Sequence, residues 1–171
     1  AMRRGIGMVH QHFMLFQPFS VLENIILGGE SHTAGVLALA EERRRITALM
    51  QENGLVVDLE AKVESLSVGV QQRVEILKIL FRGATILIFD EPTAVLTPQE
   101  SQELFRTFRE ITRQGKGIIF ISHKLDEVLE VADRITVIRQ GRIVQTMPRQ
   151  GVTKQRIAEL MEVITPLVTR Q

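Results

Sequence analysis

Ile86-Leu87-Ile88-Phe89-Asp90-Glu91 is a run of four apolar residues that ends in two carboxylates. Its length, its β-branched and aromatic content and the lack of any polar position before Asp90 read as a buried strand. In open α/β sheets, ligands bind outside the carboxyl ends of the strands, where Asp90 and Glu91 fall. At a site that handles phosphates, the first acid holds Mg2+, directly or through water, and the second polarises an attacking water. Pro92 cannot continue a strand, so the chain turns there. Two idle, exposed acids at a strand end remain the bland alternative. The partner that such a site needs is absent from the 171 residues: no Gly-x-x-x-x-Gly-Lys-Ser/Thr loop occurs. The nearest fragment, Gly115-Lys116-Gly117, lacks both the upstream glycine and the hydroxyl residue.

Outward from this run, strand and helix patterns alternate, which argues for a layered α/β core. Downstream, Thr97-Pro98-Gln99-Glu100 combines a Thr cap, a Pro at the first helical position and a Glu three residues past the cap. The helix it starts runs to about Arg113, and Gly117 to Ser122 reads as a second buried strand ending at His123. Leu125 to Val131 is a short helix. Arg134–Arg139 and Arg142–Thr146 alternate and are joined by Gln140-Gly141, a hairpin signal. Thr153 to Val163 is a final helix.

Upstream, Val68 to Arg82 is helical, with Val70, Val74, Leu77 and Phe81 spaced for burial. Glu41 to Asn53 is a helix with Ile46, Leu49 and Met50 on one face. A Glu41–Arg45 pair at i,i+4 leaves Arg43-Arg44-Arg45 as a solvated face. Residues 30 to 40 read as a loop. Ser20 caps a short helix from Val21 to about Leu27, and Ile6 to His10 reads as a strand. The stretch 20–80 is mostly helical and reads as a separate lobe on a core made of 1–19 and 81–171.

Composition narrows the classes. The chain is 44% hydrophobic and 24% charged, ordinary for a globular domain, and its net charge of +1 gives no reason to propose nucleic acid. Zero Cys excludes disulfides and thiolate metal sites. No apolar stretch is long enough to span a bilayer, and no signal-peptide h-region is present. The first residue is Ala1, which suggests an excerpt from a longer reading frame, although initiator removal or an expression scar would look the same.

Three further segments carry chemistry. Leu66-Ser67-Val68-Gly69-Val70-Gln71-Gln72-Arg73 places a Ser and a Gly at a helix amino terminus, an anion site by virtue of its free N–H groups. The alternative is that Ser67 is only a cap. His123, at the end of a strand, can reach a γ-phosphate or order a water, or can be merely structural. Gln11 follows a strand, and its side chain suits Mg2+, water or phosphate. His10 and His12 are spaced for a metal but have no further ligands nearby.

In their order along the chain, Gln11, Leu66 to Arg73, Ile86 to Glu91 and His123 resemble the nucleotide-binding domain of ABC ATPases, and the resemblance runs from Gly5 to about Met161. The resemblance places Gln11 at the Q-loop, Leu66 to Gln72 at the signature, and Ile86 to Glu91 at Walker B with its glutamate. It places Ala94 to Thr97 at the D-loop and His123 at the switch histidine. Met8-Val9-His10-Gln11, Val74-Glu75-Ile76-Leu77 and Asp90 to Thr97 look like importers of simple sugars and nucleosides, specifically the first of their two ATPase halves. The fold implied is a partial P-loop NTPase core with a helical subdomain.

The resemblance also implies roles. Glu91, His123 and Gln11 are catalytic, Ser67, Gly69 and Gln71 contact nucleotide, and Asp90 and Gln11 bind Mg2+. ATP and Mg2+ are the cofactors. The partners are a second ATPase domain, separate or fused, and a membrane permease, with no nucleic acid. The location is the cytoplasmic face of the plasma membrane, and Phe13, Met14, Phe16 and Phe19 either line the permease groove or belong to the core.

The chain departs from the family pattern at three points. Val68 and Val70 replace the usual Gly and Gln of the signature, Thr97 replaces the D-loop Asp, and the phosphate loop and first strands are missing. A missing central strand predicts an open sheet edge. The rival readings are a non-catalytic module that lends Ser67 and Gly69 to a partner, and a soluble relative working on ribosomes or DNA ends.

Overall fold

The acid-tipped run forms β2 (Ile86–Asp90), the middle strand of a parallel sheet ordered β1-β2-β3, with β1 at Ile6–Val9 and β3 at Gly117–Ile121. The computed structural model describes residues 4–10, 13–27 and 36–161. It divides into two compact units, Ala1–Ile121 and Ser122–Gln171. Among the described residues β1 and β3 are the sheet edges.

Register assigns the sheet its two faces. Gly7 pairs with Leu87 and Val9 with Phe89, while Leu87 pairs with Ile118 and Phe89 with Phe120, so these six share one face. Two helices cover that face: α3 (Val68–Phe81) over β1 and α4 (Pro98–Arg113) over β2 and β3. Phe108 of α4 lies 4.4 Å from Phe89 and 6.0 Å from Phe120, ring centre to ring centre. The opposite face is only partly covered. Ile119 is 51% exposed and Ile121 46%, and Ile86 is exposed too. The reading of β2 and β3 as fully buried strands is therefore corrected: β2 is buried at Leu87 and Phe89, and no residue of β3 is fully buried. Both covering helices lie on the same side, and a continuous apolar run does not reveal that choice.

At Gly7 the sheet lies close against Ile79 of α3. A Cβ there would stand 2.9 Å from Ile79 Cβ and 3.1 Å from Ala84 Cβ, atoms fixed close to their own backbones. Gly7→Ala is therefore expected to cost about 1–3 kcal/mol through overpacking, measurable as a lower urea midpoint.

The helices start where their caps lie. Helix α1 (Val21–Ile26) begins at Ser20 in a reciprocal capping box with Glu23, and α4 begins at Thr97 in the same arrangement with Glu100. Helix α2 runs Val36–Asn53, so residues 36 to 40, expected in a loop, are helical. Nothing in 36–40 breaks a helix: Val36-Leu37-Ala38-Leu39-Ala40 is apolar and mostly of good helix formers, without the polar alternation that marks an amphipathic helix. Arg45 pairs with Glu42, not with Glu41, at 3.7 Å. It also donates to the Phe81 carbonyl at 3.2 Å and lies 4.7 Å over the Phe81 ring. Arg43 pairs with Glu60 at 2.5 Å, so the basic run is a docking face as well as a solvated one.

Helix α3 carries a buried ion pair, Glu75 and Lys78, 3.8 Å apart. Lys78 Nζ donates to the Met14 carbonyl at 2.9 Å, which ties the segment after β1 to this helix. Burial pushes the Lys78 ammonium below its usual range, assisted by Arg82 and opposed by Glu75.

The second unit has its own small core. The antiparallel hairpin of β4 (Arg134–Arg139) and β5 (Arg142–Pro148) turns at Gln140 and Gly141, both at positive φ. Ile135, Val137 and Met147 pack with Ile157 of α6 (Lys154–Met161), and Leu125, Val128 and Leu129 of α5 (Leu125–Val131) close the cluster.

Candidate functional site

The strand that carries the acids also fixes their geometry. Asp90 is the last residue of β2 and pairs with Ile121, so its side chain leaves the sheet at the carboxyl edge. Glu91 has φ 47, in the left-handed region, although it is not glycine. That conformation costs roughly 1–2 kcal/mol for an L-residue and persists only where its surroundings enforce it. Here the Glu91 N–H donates to the Ile121 carbonyl at 2.9 Å, and the Ala94 N–H donates to the Glu91 carbonyl at 3.1 Å. Pro92 and Thr93, the central residues of this turn, are buried. The strand thus ends in a tight, strained corner that presents two adjacent carboxylates. Such a donor set fits Mg2+, which is held by one or two carboxylates together with phosphate and water oxygens.

The second cluster lies at the start of α3. Ser67 caps the helix, its Oγ accepting from Val70 N–H at 3.4 Å. Gly69 is buried against α4: a Cβ there would meet Glu100 Oε1 at 2.4 Å. Glu100 cannot swing aside freely, because its Oε2 accepts from Thr97 N–H at 2.9 Å and lies 3.0 Å from Thr97 Oγ1. Glycine at 69 therefore has a packing reason independent of any ligand. Gln71 turns its amide back on the Leu66 carbonyl at 3.0 Å.

One residue escaped the sequence reading. Gln72, fully within the helix and buried, donates its amide to the Pro92 carbonyl at 2.8 Å. This bond joins the signature helix directly to the turn that follows Glu91. The only signal was its position: Gln72 falls three residues after Gly69 and four before Ile76, on the stripe that faces α4.

Gln11 and His12 lie outside the described residues, as does His32. His123 is exposed and belongs to the second unit, whereas Asp90, Glu91, Ser67, Gly69 and Gln71 belong to the first. Of the apolar residues after Gln11, Met14 is 67% and Phe16 53% exposed and Phe19 is exposed as well, whereas Phe13 is half-buried. Phe16 and Phe19 stack with centroids 5.5 Å apart, so they and Met14 present an apolar surface, while Leu15, between Met14 and Phe16, is buried. The segment is held from below by Asn24, whose Oδ1 accepts from Phe16 N–H at 2.7 Å and whose Nδ2 donates to the Phe16 carbonyl at 3.0 Å. Among the described residues no helix is long and apolar enough to cross a membrane.

A strained acid corner thus ends a parallel strand and is bonded to a helix that opens with Ser-x-Gly. The chain belongs to the ABC transporter family, whose model matches residues 1–94. It is 55% identical over 157 residues to the nucleoside import ATP-binding protein NupA of Lactococcus lactis, covering 92% of this chain and 31% of that protein. It is 42% identical over 161 residues to the ribose import ATP-binding protein RbsA 3 of Rubrobacter xylanophilus, covering 94% of this chain and 32% of that one. The chain thus spans about a third of the length of these curated relatives. Among solved structures it resembles CbiO1 of Clostridium perfringens, part of the ABC transporter complex CbiONQ. The TM-score is 0.75 at 25% identity, covering 92% of this chain and 62% of that one. The fold is that of ABC ATP-binding domains, mixed α/β with a parallel core.

Proposed function

We propose that the chain is part of the ATP-hydrolysing subunit of an importer for nucleosides or simple sugars. The observation that carries this reading is the strained Glu91 beside Asp90 at the carboxyl end of the central strand, in a member of this family. ATP supplies the phosphoryl group that is transferred to water. Asp90, with Gln11, holds Mg2+ or its water. Glu91 polarises the attacking water and takes up its proton. His123 stabilises the transferring phosphate. Ser67 and Gly69, with Gln71 beside them, offer the amino end of α3 to a nucleotide held by a second ATPase domain, separate or fused.

Residues 20–80 act as a helical lobe on a core of 1–19 and 81–171. The exposed Met14, Phe16 and Phe19 face a membrane permease at the cytoplasmic side of the plasma membrane. The names of the nucleoside and ribose importers among the relatives support the solute class.

A second reading is a non-catalytic module that lends its signature segment to a partner and docks on a permease, with which the helix start at Ser67 and the exposed Met14, Phe16 and Phe19 are compatible. The 171-residue chain is expected to show no ATP turnover alone, because these residues include no Gly-x-x-x-x-Gly-Lys-Ser/Thr loop to grip the β- and γ-phosphates. Turnover by this purified chain that disappears in Glu91→Gln would overturn that expectation. For the importer reading itself, the full-length subunit should co-purify with a membrane permease and hydrolyse Mg-ATP. Co-purification with RNA or DNA instead would sink it, and permease binding without hydrolysis would favour the non-catalytic module.

A further inference from the structure

We propose that Gln72 is a positioning residue for Glu91: its side-chain amide fixes the Pro92 carbonyl and so holds the acid corner in its left-handed conformation. The inference rests on the role given to Glu91 above.

Three observations meet at this bond. Glu91 is strained at φ 47, and a strained residue relaxes unless its neighbours over-determine it. Pro92, the next residue, has no N–H, so its carbonyl is the backbone handle by which another element can hold the turn. Gln72, 3% exposed, supplies a donor 2.8 Å from that carbonyl across 20 residues of sequence. A buried amide that makes such a bond is costly to misplace, because the carbonyl would be left without a partner. The bond therefore has a definite geometry.

The helix that supplies it is the one Ser67 caps, so Ser67 and Gln72 move together as parts of one rigid element. Anything that shifts the amino end of α3, such as a nucleotide presented by a second domain, is passed to the Pro92 carbonyl and from there to Glu91. The other polar groups lining the crevice between α3 and α4 are engaged elsewhere. Arg73 is bonded to Glu103, and Glu100 is held in the Thr97 capping box. Gln72 is thus the neutral side chain of this crevice that reaches the catalytic corner.

The test uses amide hydrogen exchange on the 171-residue chain. Gln72→Met keeps the length and removes the donor. It is expected to speed exchange at the Glu91 and Ala94 amides roughly tenfold or more. Amides inside α3, such as that of Leu77, should stay within about twofold. Gln72→Glu adds a readout that simple packing would not move. The new carboxyl donates to Pro92 only when protonated, and burial raises its pKa. The ionisable groups lining the same crevice are Arg73, Glu100 and Glu103. Protection at Ala94 should therefore approach that of the natural chain at acidic pH and fall as pH rises through the new pKa. Unchanged protection in Gln72→Met, or pH-independent protection in Gln72→Glu, overturns the proposal. If Gln72→Met does not fold, the pH series of Gln72→Glu still decides. In the full-length subunit, Gln72→Met should lower kcat and leave KM for ATP unchanged. An inactive natural subunit would sink the role given to Glu91 but not the exchange result, so the two failures are told apart.

Discussion

Glu91→Gln in the full-length subunit is expected to lower ATP turnover about a thousandfold, within the range a positioned general base contributes. Stability should change by less than about 0.5 kcal/mol, as for an isosteric change at a partly exposed position. The separation follows from the geometry. Glu91 is held by its backbone, through the Ile121 carbonyl on one side and the Ala94 N–H on the other, and Gln keeps both bonds. It occupies the same left-handed conformation at a similar cost, since neither side chain favours φ 47. What changes is chemistry: the neutral amide cannot take a proton from water. Nucleotide binding should survive, because the contacts that grip phosphates lie elsewhere in such enzymes. Steady-state hydrolysis and equilibrium nucleotide binding, measured on the same preparation, check this. Turnover within tenfold of the natural enzyme would remove Glu91 from the mechanism and leave its strain unexplained.

Much of the fold could be read from the chain because caps and turns are local. Ser20 with Glu23, Thr97 with Glu100 and the Gln140-Gly141 hairpin all lie where residue type and spacing put them. Helix α3 was legible from periodicity, and β2 from its apolar run. The misses have one cause, which is that tertiary context decides them. The start of α2 at Val36 rests on an apolar segment without a cap signal. Arg45 had two carboxylates in helical reach, and only packing against Phe81 fixes its rotamer toward Glu42. The site divides in the same way. Asp90 and Glu91 announced themselves at the end of a strand. Gln72 did not, because a glutamine inside an amphipathic helix shows its purpose only once the distant Pro92 is brought beside it. Gly69 could be read as a ligand-facing glycine, yet its closest neighbour is Glu100.

The half-covered sheet yields the largest expected stability effect. Phe89→Ala should destabilise the chain by about 3–5 kcal/mol, the range for emptying a buried aromatic site. Phe89 is fully buried, and its ring packs on Phe108, which in turn meets the rings of Phe105 and Phe120. Removing it deprives Phe108 of its nearest ring, and the backbone of a central strand cannot collapse into the space. Domains of this size have only about 5–15 kcal/mol in hand, so the variant should approach unfolding under mild conditions. On the other face, Ile119→Thr should cost under about 0.5 kcal/mol, because Thr retains β propensity and little apolar area is withdrawn from burial. The two positions lie on adjacent strands and are both apolar, so sequence alone ranks them alike. The chain has no Trp or Tyr, so far-UV circular dichroism during urea unfolding is the suitable probe. Equal losses at 89 and 119 would mean that something covers the Ile119 face in solution. In that case the exposure of Ile119 and Ile121 would mark a contact surface and not a free one.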